Sequence, residues 1–296
     1  MNIFERGFMY LARKNFFNWM PDKPYLQICY KIHIGKKLNL KHPTSFNEKI
    51  QWLKLYDRNP EYTKMVDKYE VKKYVADMIG EEYIIPTIGV WNKVEDIDFD
   101  KLPNQFVLKC THDSGGLVIC KDKSKLDIEE AKKKLNHFYN RKYFYLHREW
   151  PYKNVKPRII AEKYMQNGND PELKDYKVFC FNNEPKLLYI SEGLSDHATA
   201  KISFADMNYN MAPFTRSDFE PFEKLPKKPI NFEKIKELAK MLSKNISFVR
   251  VDFYEINGKI YFGEFTFSPC AGLIPFQPAE YDDVIGEWLK LPQKNI

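Results

Sequence analysis

The sequence predicts an α+β protein whose two or three lobes share one cleft. Three observations carry that expectation. Helix-type repeats with recognisable caps fill most of the first 80 residues. From Arg158 onward the pattern turns to alternating strands, RIIAEKYM, DYKVFCFNN, PKLLYIS and KISFAD. The chain closes on two strands, FVRVDFYEI and IYFGEFTF, joined at Asn257-Gly258, a hairpin signal. The order reads as three units, 1–85 mostly helical, 86–165 small and mixed, and 166–296 built on the antiparallel sheet.

Residues 3–20 read as a basic amphipathic helix, with Phe4, Phe8 and Leu11 on one side and Arg6, Arg13 and Lys14 elsewhere. Such a helix either packs on its own domain or docks to a membrane surface or partner. Ser45 and Glu48 form a capping-box pattern, so a helix starts near Phe46 and its unit closes at Pro60. Residues 61–79 read as one helix ended by Gly80. YIIPTIGVW and FVLKC follow as strands, and Asp127 opens a helix through LDIEEAKKKLNHFYNRKYF. The segment FEKIKELAKMLSKN is the last helix before the closing hairpin.

Composition narrows the function classes. The 296 residues suffice for a large core, and 44% hydrophobic with 29% charged is ordinary for an enzyme. Aromatics reach 16%, which broad packed sheets explain and a sugar-facing surface would also use. The net charge of +7 favours anionic partners: nucleotides, acidic polysaccharides or a membrane surface. The lysines are scattered and no nucleic-acid motif appears, so nucleic acid is disfavoured. Five cysteines without a CxxC pair argue against a disulfide framework or zinc site and for a reducing cytoplasm. No signal peptide and no run of 18 apolar residues is present.

Four segments carry chemistry. In FVLKCTHDSGG, Lys109 stands near the end of an apolar strand, followed by the loop Thr111-His112-Asp113-Ser114-Gly115-Gly116. A rigid ammonium and a glycine-bearing loop of N–H groups suit phosphate oxygens, although a plain hairpin with a solvated lysine has the same pattern. In RIIAEKYM an apolar strand reaches Glu162 and passes into QNGNDPELKD. An exposed strand there would offer backbone groups to an adenine edge; an ordinary edge strand explains it equally. In DYKVFCFNNEP, Lys177 either faces inward and needs an anion or lies on an exposed sheet face.

The fourth segment, VRVDFYEINGKIYFGEFTFSP, is the most telling. A three-residue loop at Asn257-Gly258-Lys259 sets Asp252 opposite Glu264; a strict two-residue turn puts them on opposite faces, so the reading requires the longer loop. Arg250 shares the face of Asp252. Two facing carboxylates among apolar residues need a cation, and Mg²⁺ is the natural one. The alternative is an Arg250–Glu264 ion pair without metal.

Together these blocks resemble the ATP-grasp superfamily, and within it the TupA-like branch linked to cell-surface polysaccharide biosynthesis. The resemblance runs from about Leu38 to Pro292 through HPTSFNEKIQWLKLYD, VDKYEVKKYV, EEYIIPTIGVW, FVLKCTHDSGG, REWPYKNVKPRIIAEKYM, DYKVFCFNN, FVRVDFYEINGKIYFGEFTFSP and GEWLKLP. It implies an ATP-grasp fold with the nucleotide between the small α+β unit and the C-terminal sheet. It implies that Lys109 contacts the phosphates and that His112, Asp113, Ser114, Gly115 and Gly116 form the covering loop. Glu162, Lys163, Tyr164 and Met165 would be the adenine hinge, and Lys177 a second lysine at the nucleotide. Asp252 and Glu264 would ligate magnesium, with Arg250 beside a transferring phosphoryl group. The chain reads Glu264-Phe265-Thr266 where the superfamily usually has Glu-x-Asn, so Thr266 becomes the third metal position, with a hydroxyl that is a weaker ligand for a second magnesium than an amide oxygen.

The implied activity is a cytoplasmic MgATP-dependent carboxylate–amine ligase working through an acyl phosphate, with a glycan or small-molecule carboxylate and an amine as substrates. Association with a membrane or a polysaccharide-synthesis complex is an added expectation. Two alternatives stand beside it. A glycosyltransferase would use a DxD metal motif, for which DFD at 98–100 is only a nominal match. A non-catalytic nucleotide-binding subunit would not need Lys109, Asp252 and Glu264 together.

Overall fold

In the computed structural model of the chain, residues 2–168, 173–192 and 200–294 are described. Part of the polar segment QNGNDPELKD, residues 169–172, lies outside them. Five helices come first: α1 (Ile3–Arg13), α2 (Asp22–Ile34), α3 (Phe46–Tyr56), α4 (Glu61–Val66) and α5 (Glu70–Ile79). Next come β1 (Thr87–Trp91), β2 (Phe106–Cys110), β3 (Leu117–Cys120), α6 (Ile128–Tyr139), α7 (Phe144–His147) and β4 (Ile159–Lys163). The last part holds β5 (Asp175–Phe181), β6 (Glu184–Glu192), β7 (Lys201–Ala205), β8 (Thr215–Arg216) and α8 (Phe232–Leu242). It ends with β9 (Phe248–Ile256), β10 (Lys259–Thr266), β11 (Phe276–Gln277) and α9 (Tyr281–Trp288). Among the described residues no helix is long and apolar enough to cross a membrane.

Local chemistry explains most boundaries. Ser45 Oγ accepts the Glu48 N–H at 3.3 Å, and Asp127 accepts that of Glu130 at 2.9 Å, so both expected N-caps form. The Glu48 carboxylate turns instead to the N–H groups of Asn39 and Thr44, so the box is only half closed. The expected 3–20 helix stops at Arg13, because Asn15 adopts a left-handed φ of 63° and the chain turns back.

The expected single helix 61–79 is broken. Asp67 takes an extended conformation, and its carboxylate accepts the Tyr69 N–H at 2.9 Å and bonds Arg158 at 2.8 Å. A short acidic side chain that bonds its own backbone competes with the helix ladder. The break leaves Lys68 on a loop that hydrogen-bonds Thr111 O at 3.2 Å.

Two antiparallel sheets organise the molecule. The small one has the order β1-β4-β2-β3, with Phe106, Leu108 and Cys110 on one face packed with Ala131 and Leu135 of α6. The large one has the order β10-β9-β5-β6-β7. One of its faces, with Val178, Val249, Val251 and Phe253, packs on α5 and α8. The other is divided along its length. Phe179, Phe181 and Phe248 sit beneath Phe46 and Ile50 of α3 and Ile285 of α9. Further along the same face come Asp175, Lys177, Arg250 and Asp252, in register as Lys177–Asp252 and Phe179–Arg250 pairs. That charged half faces the small sheet.

The closing hairpin departs from expectation in an informative way. Asn257 and Gly258 both have positive φ, 50° and 73°, and Lys259 pairs with Ile256, so the turn has two residues, not three. That register alone would set Glu264 on the face opposite Asp252. A β-bulge between Phe262 and Phe265 inserts one residue, and beyond it Phe265 pairs with Val251 and Thr266 with Arg250. Glu264 is thereby returned to the side of Asp252. Gly263 sits in the bulge, where a Cβ would lie 3.1 Å from Asp252 O.

Candidate active site

A cavity of about 620 Å³ lies between the two sheets, within the usual range for a small-molecule site. Its floor is the open face of the small sheet. Strand alternation sends Phe106, Leu108, Val118 and Cys120 into the α6 core and leaves Val107, Lys109, Leu117 and Ile119 on the other side. Ile119 is 53% exposed there, and with Val107 it gives the cavity an apolar floor.

Lys109 closes the floor. Its Nζ lies 2.6 Å from Glu162 Oε2, and Lys72 Nζ lies 2.5 Å from Glu162 Oε1. Burial alone would raise the Glu162 carboxyl, but the two ammonium groups outweigh it and hold it below the ordinary carboxylate range. Burial likewise works against the charge of Lys109, and Glu162, then Glu264 and Asp175, outweigh it and raise its pKa. Lys68 and Lys72 are shifted down, burial being the largest cause for each.

Glu162 is thus a buried hub for two lysines. Its strand is not the exposed strand that an adenine hinge was expected to use. β4 is interior, with Glu162 paired to Thr87 on one side and Val107 on the other. The Lys163 N–H bonds Pro86 O at 3.0 Å. Only after Lys163 does the chain leave the sheet, and Tyr164 and Met165 line the cavity from that coil.

The loop after Lys109 divides in two. Asp113, Ser114, Gly115 and Gly116 line the cavity. His112 does not: it is buried, its Nε2 lies 3.0 Å from Tyr139 O, and burial lowers its pKa. The loop is latched from both sides. Arg141 Nε donates to Asp113 Oδ1 at 3.0 Å, and Lys68 Nζ donates to Asp113 O at 2.7 Å. The Arg141 guanidinium lies over the Phe138 ring at 4.9 Å, which fixes its plane.

The opposite wall comes from the large sheet. Arg250 grips Asp252 through Nε–Oδ1 at 2.7 Å and Nη2–Oδ2 at 2.6 Å, and reaches Glu264 Oε1 at 3.1 Å. The ion pair foreseen as the alternative to a metal is therefore present, extended to both carboxylates. Burial raises the Asp252 carboxyl to about 6 against the pull of Arg250 and Lys177. For Glu264 burial also pushes upward, but Arg250, Lys68 and Lys177 outweigh it and the pKa falls. Lys177 bonds Asp175 and lies 3.9 Å from Asp252 Oδ2, behind the carboxylates rather than on the cavity wall. Thr266 Oγ1 lies 3.4 Å from Glu264 Oε1.

The donors fit a magnesium ion bound together with phosphate. Two carboxylates suffice for Mg²⁺ when phosphate oxygens complete its shell, and Asp252 and Glu264 are near enough to share one cation, in this structure Arg250 Nη2. Among the described residues no cluster of three or more His, Cys, Asp or Glu side chains forms a metal cage. Asp175 adds a buried Oδ1 without a hydrogen-bond partner, and the residue lines the same cavity.

Three of these residues escaped the sequence reading: Lys68, Lys72 and Asp175. The lysines sit four apart in VDKYEVKK, inside the stretch read as one continuous helix, because the break at Asp67 was not foreseen. Asp175 stands at the start of an alternating strand, two residues before Lys177, and that shared face was its only signal. DFD at 98–100 lies in a surface turn, where Asp98 caps Asp100 and pairs with Lys101 at 3.0 Å, away from the cavity lining.

The model of the TupA-like ATP-grasp family matches residues 48–290. No curated protein matches the sequence. Among solved structures, the chain resembles D-alanine–D-alanine ligase from Bacillus anthracis complexed with ATP, at 16% identity over 69% of this chain and 54% of that one, TM-score 0.40. The corresponding enzyme from Helicobacter pylori shows 16% identity over 84% and 70%, TM-score 0.44. The ATP-grasp ligase PsnB with minimal precursor, Mg and ADP shows 9% identity over 75% and 58%, TM-score 0.41. The chain spans little more than half the length of the Bacillus anthracis enzyme.

Proposed function

The chain belongs to the TupA-like ATP-grasp family, and from that premise we propose that it is a carboxylate–amine ligase driven by MgATP. One observation carries the reading. An apolar sheet face ending in Lys109 and a glycine-bearing loop shares a cavity with Glu264, and Asp252 lines a smaller adjoining cavity with Lys68, Lys109 and Glu264, tied to Glu264 through Arg250. An adenine ring needs a flat apolar bed, a triphosphate needs cations and N–H groups, and a γ-phosphoryl group in transfer needs positive charge at its far end.

In this reading Val107 and Ile119 support the base, and the coil at Tyr164 and Met165 meets its edge. Lys109 and Lys68 hold the phosphates beneath the loop Asp113–Gly116. Asp252 and Glu264, with Thr266 adjoining, would hold the magnesium ion, which neutralises phosphate charge when bound. Arg250 is placed to follow charge onto the transferring group, and Lys177 keeps Asp252 in position. The small unit 86–165 and the sheet unit 166–296 act as the two jaws, with 1–85 as their support.

The reaction follows from the chemistry of a carboxylate, a poor electrophile near neutral pH. Its oxygen attacks the γ-phosphorus of ATP, the bond from that phosphorus to the β-phosphate bridge breaks, and ADP leaves with the electron pair. The acyl phosphate then accepts an amine nitrogen, phosphate departs, and the amine proton passes to solvent or base. The latched loop restricts water that would hydrolyse the acyl phosphate. The resemblance to a branch linked to cell-surface polysaccharide biosynthesis makes the proposed carboxylate a uronic acid or glycan-borne acid and the amine an amino acid. The test is ADP release with magnesium and ATP across uronic acids paired with amino acids. Turnover dependent on both an acid and an amine is expected. ATP binding without ADP release for any pair would favour the non-catalytic reading, and sugar-nucleotide turnover the glycosyltransferase.

A further inference from the structure

α1 has its outward face the wrong way round for an ordinary surface helix. Met9 and Ala12 are buried, and Phe8 stacks on Phe17 at 4.5 Å and lies 5.9 Å from Tyr25, which fixes the inward side against α2. The opposite side of such a helix is normally polar. Here the 3.6-residue repeat puts Ile3, Phe4, Tyr10 and Leu11 there, around Gly7, where a Cβ would meet nothing within 4 Å. Ile3 is 80% and Phe4 85% exposed. The turn that follows adds Phe16 and Trp19, the latter 73% exposed, and Phe16 N–H bonds Leu11 O at 3.1 Å, so the turn abuts the helix end.

Charge decides what fits this face. Arg6 and Arg13 lie one above the other along one edge of the apolar arc, and Lys14 lies at its C-terminal end; all three are exposed. The one acid of the segment, Glu5, is held at the N-terminus, where its carboxylate accepts the Asn2 N–H at 2.7 Å. Aromatic and aliphatic side chains edged with arginine and lysine, with a tyrosine and a tryptophan at the margins, match the boundary of an anionic bilayer. A neutral protein groove would not call for the cationic edge, and the whole chain adds its charge of +7 in the same sense.

We propose that α1 and the turn to Trp19 form a docking face for an anionic lipid surface, seating the protein on a membrane without crossing it. Ile3, Phe4 and Trp19 enter the headgroup boundary, and Arg6, Arg13 and Lys14 pair with lipid phosphates. The nucleotide cavity is lined from other elements.

The experiment is co-sedimentation of the full chain with phosphatidylcholine vesicles with and without phosphatidylglycerol. Association with the anionic vesicles alone, weakened by salt, is expected. Phe4→Ser with Trp19→Ser should lower the partition about tenfold or more, since the two most exposed aromatics of the face are removed. Arg6→Glu with Arg13→Glu should do the same by charge, and both variants should keep ATP affinity and melting temperature. No association, equal association with neutral vesicles, or wild-type association by both variants would overturn the proposal. So would light scattering that finds a dimer dissolved by the Phe4/Trp19 pair of substitutions, because a second copy would then be what covers the face.

Discussion

Glu162, expected at an adenine hinge, pairs its buried carboxylate with Lys72 and Lys109. Its strand position was legible, but the two lysines that share its carboxylate come from a loop-side helix and a neighbouring strand, and nothing local in the sequence links them. Glu162→Gln would leave two partly buried ammonium groups without their partner and should cost about 2–4 kcal/mol near neutral pH. Its pKa is lowered from the ordinary 4.5, so this stabilisation is full above that value and is lost as pH falls through the lower folded one. The stability gap between wild type and variant, measured by urea unfolding, should therefore close as pH falls below the ordinary carboxylate range. An unchanged gap would show that the pairing is not what Glu162 contributes. Lys109→Ala tests the other partner: without one charge-assisted hydrogen bond to phosphate, ATP should bind about tenfold or more weakly by calorimetry, with the fold kept. Unchanged affinity would remove Lys109 from the phosphate site.

At the scale of elements, sequence pattern located the strands well and their register poorly. Asp252 and Glu264 do share a side, but through a two-residue turn corrected by a bulge rather than through a longer loop. Hydrophobic alternation cannot reveal this, since IYFGEFTF keeps apolar residues on both sides of Gly263. The glycine was the available signal, as an interior strand glycine often marks a bulge. Gly263→Ala places a Cβ 3.1 Å from a backbone oxygen that has no rotamer to escape through. The bulge should shift, at about 1–3 kcal/mol of stability. The sharper expectation is that magnesium dependence of ATP binding weakens more than ATP binding without metal. Equal loss of both would mean that the bulge serves packing alone. The broken helix at Asp67 is the matching case on the small side: propensity favoured continuity, and one buried carboxylate with Arg158 as partner overrode it.

At the scale of the whole molecule, the two sheets bring residues more than 100 positions apart to one cavity, and only the resemblance to a family, not periodicity, could anticipate that meeting. The division of the large sheet's inner face, aromatic beneath α3 and α9 and charged toward the small sheet, is what makes the cavity an electrostatic site rather than a continuation of the core. The charge placed there has a consequence for which phosphorus is attacked. Lys109 and Lys68 lie on the loop side and Arg250 beside Glu264 on the far side, so in the proposed binding mode cationic charge would bracket the terminal phosphate. No cysteine or serine of the chain stands in a nucleophile motif, so the activated acid is expected to be carried as acyl phosphate. With heavy oxygen in the substrate carboxylate, label should therefore appear in inorganic phosphate and ADP should accumulate. Label in AMP would mean attack at the α-phosphorus, a position this arrangement of charge does not favour, and would overturn the mechanism while leaving the nucleotide site intact.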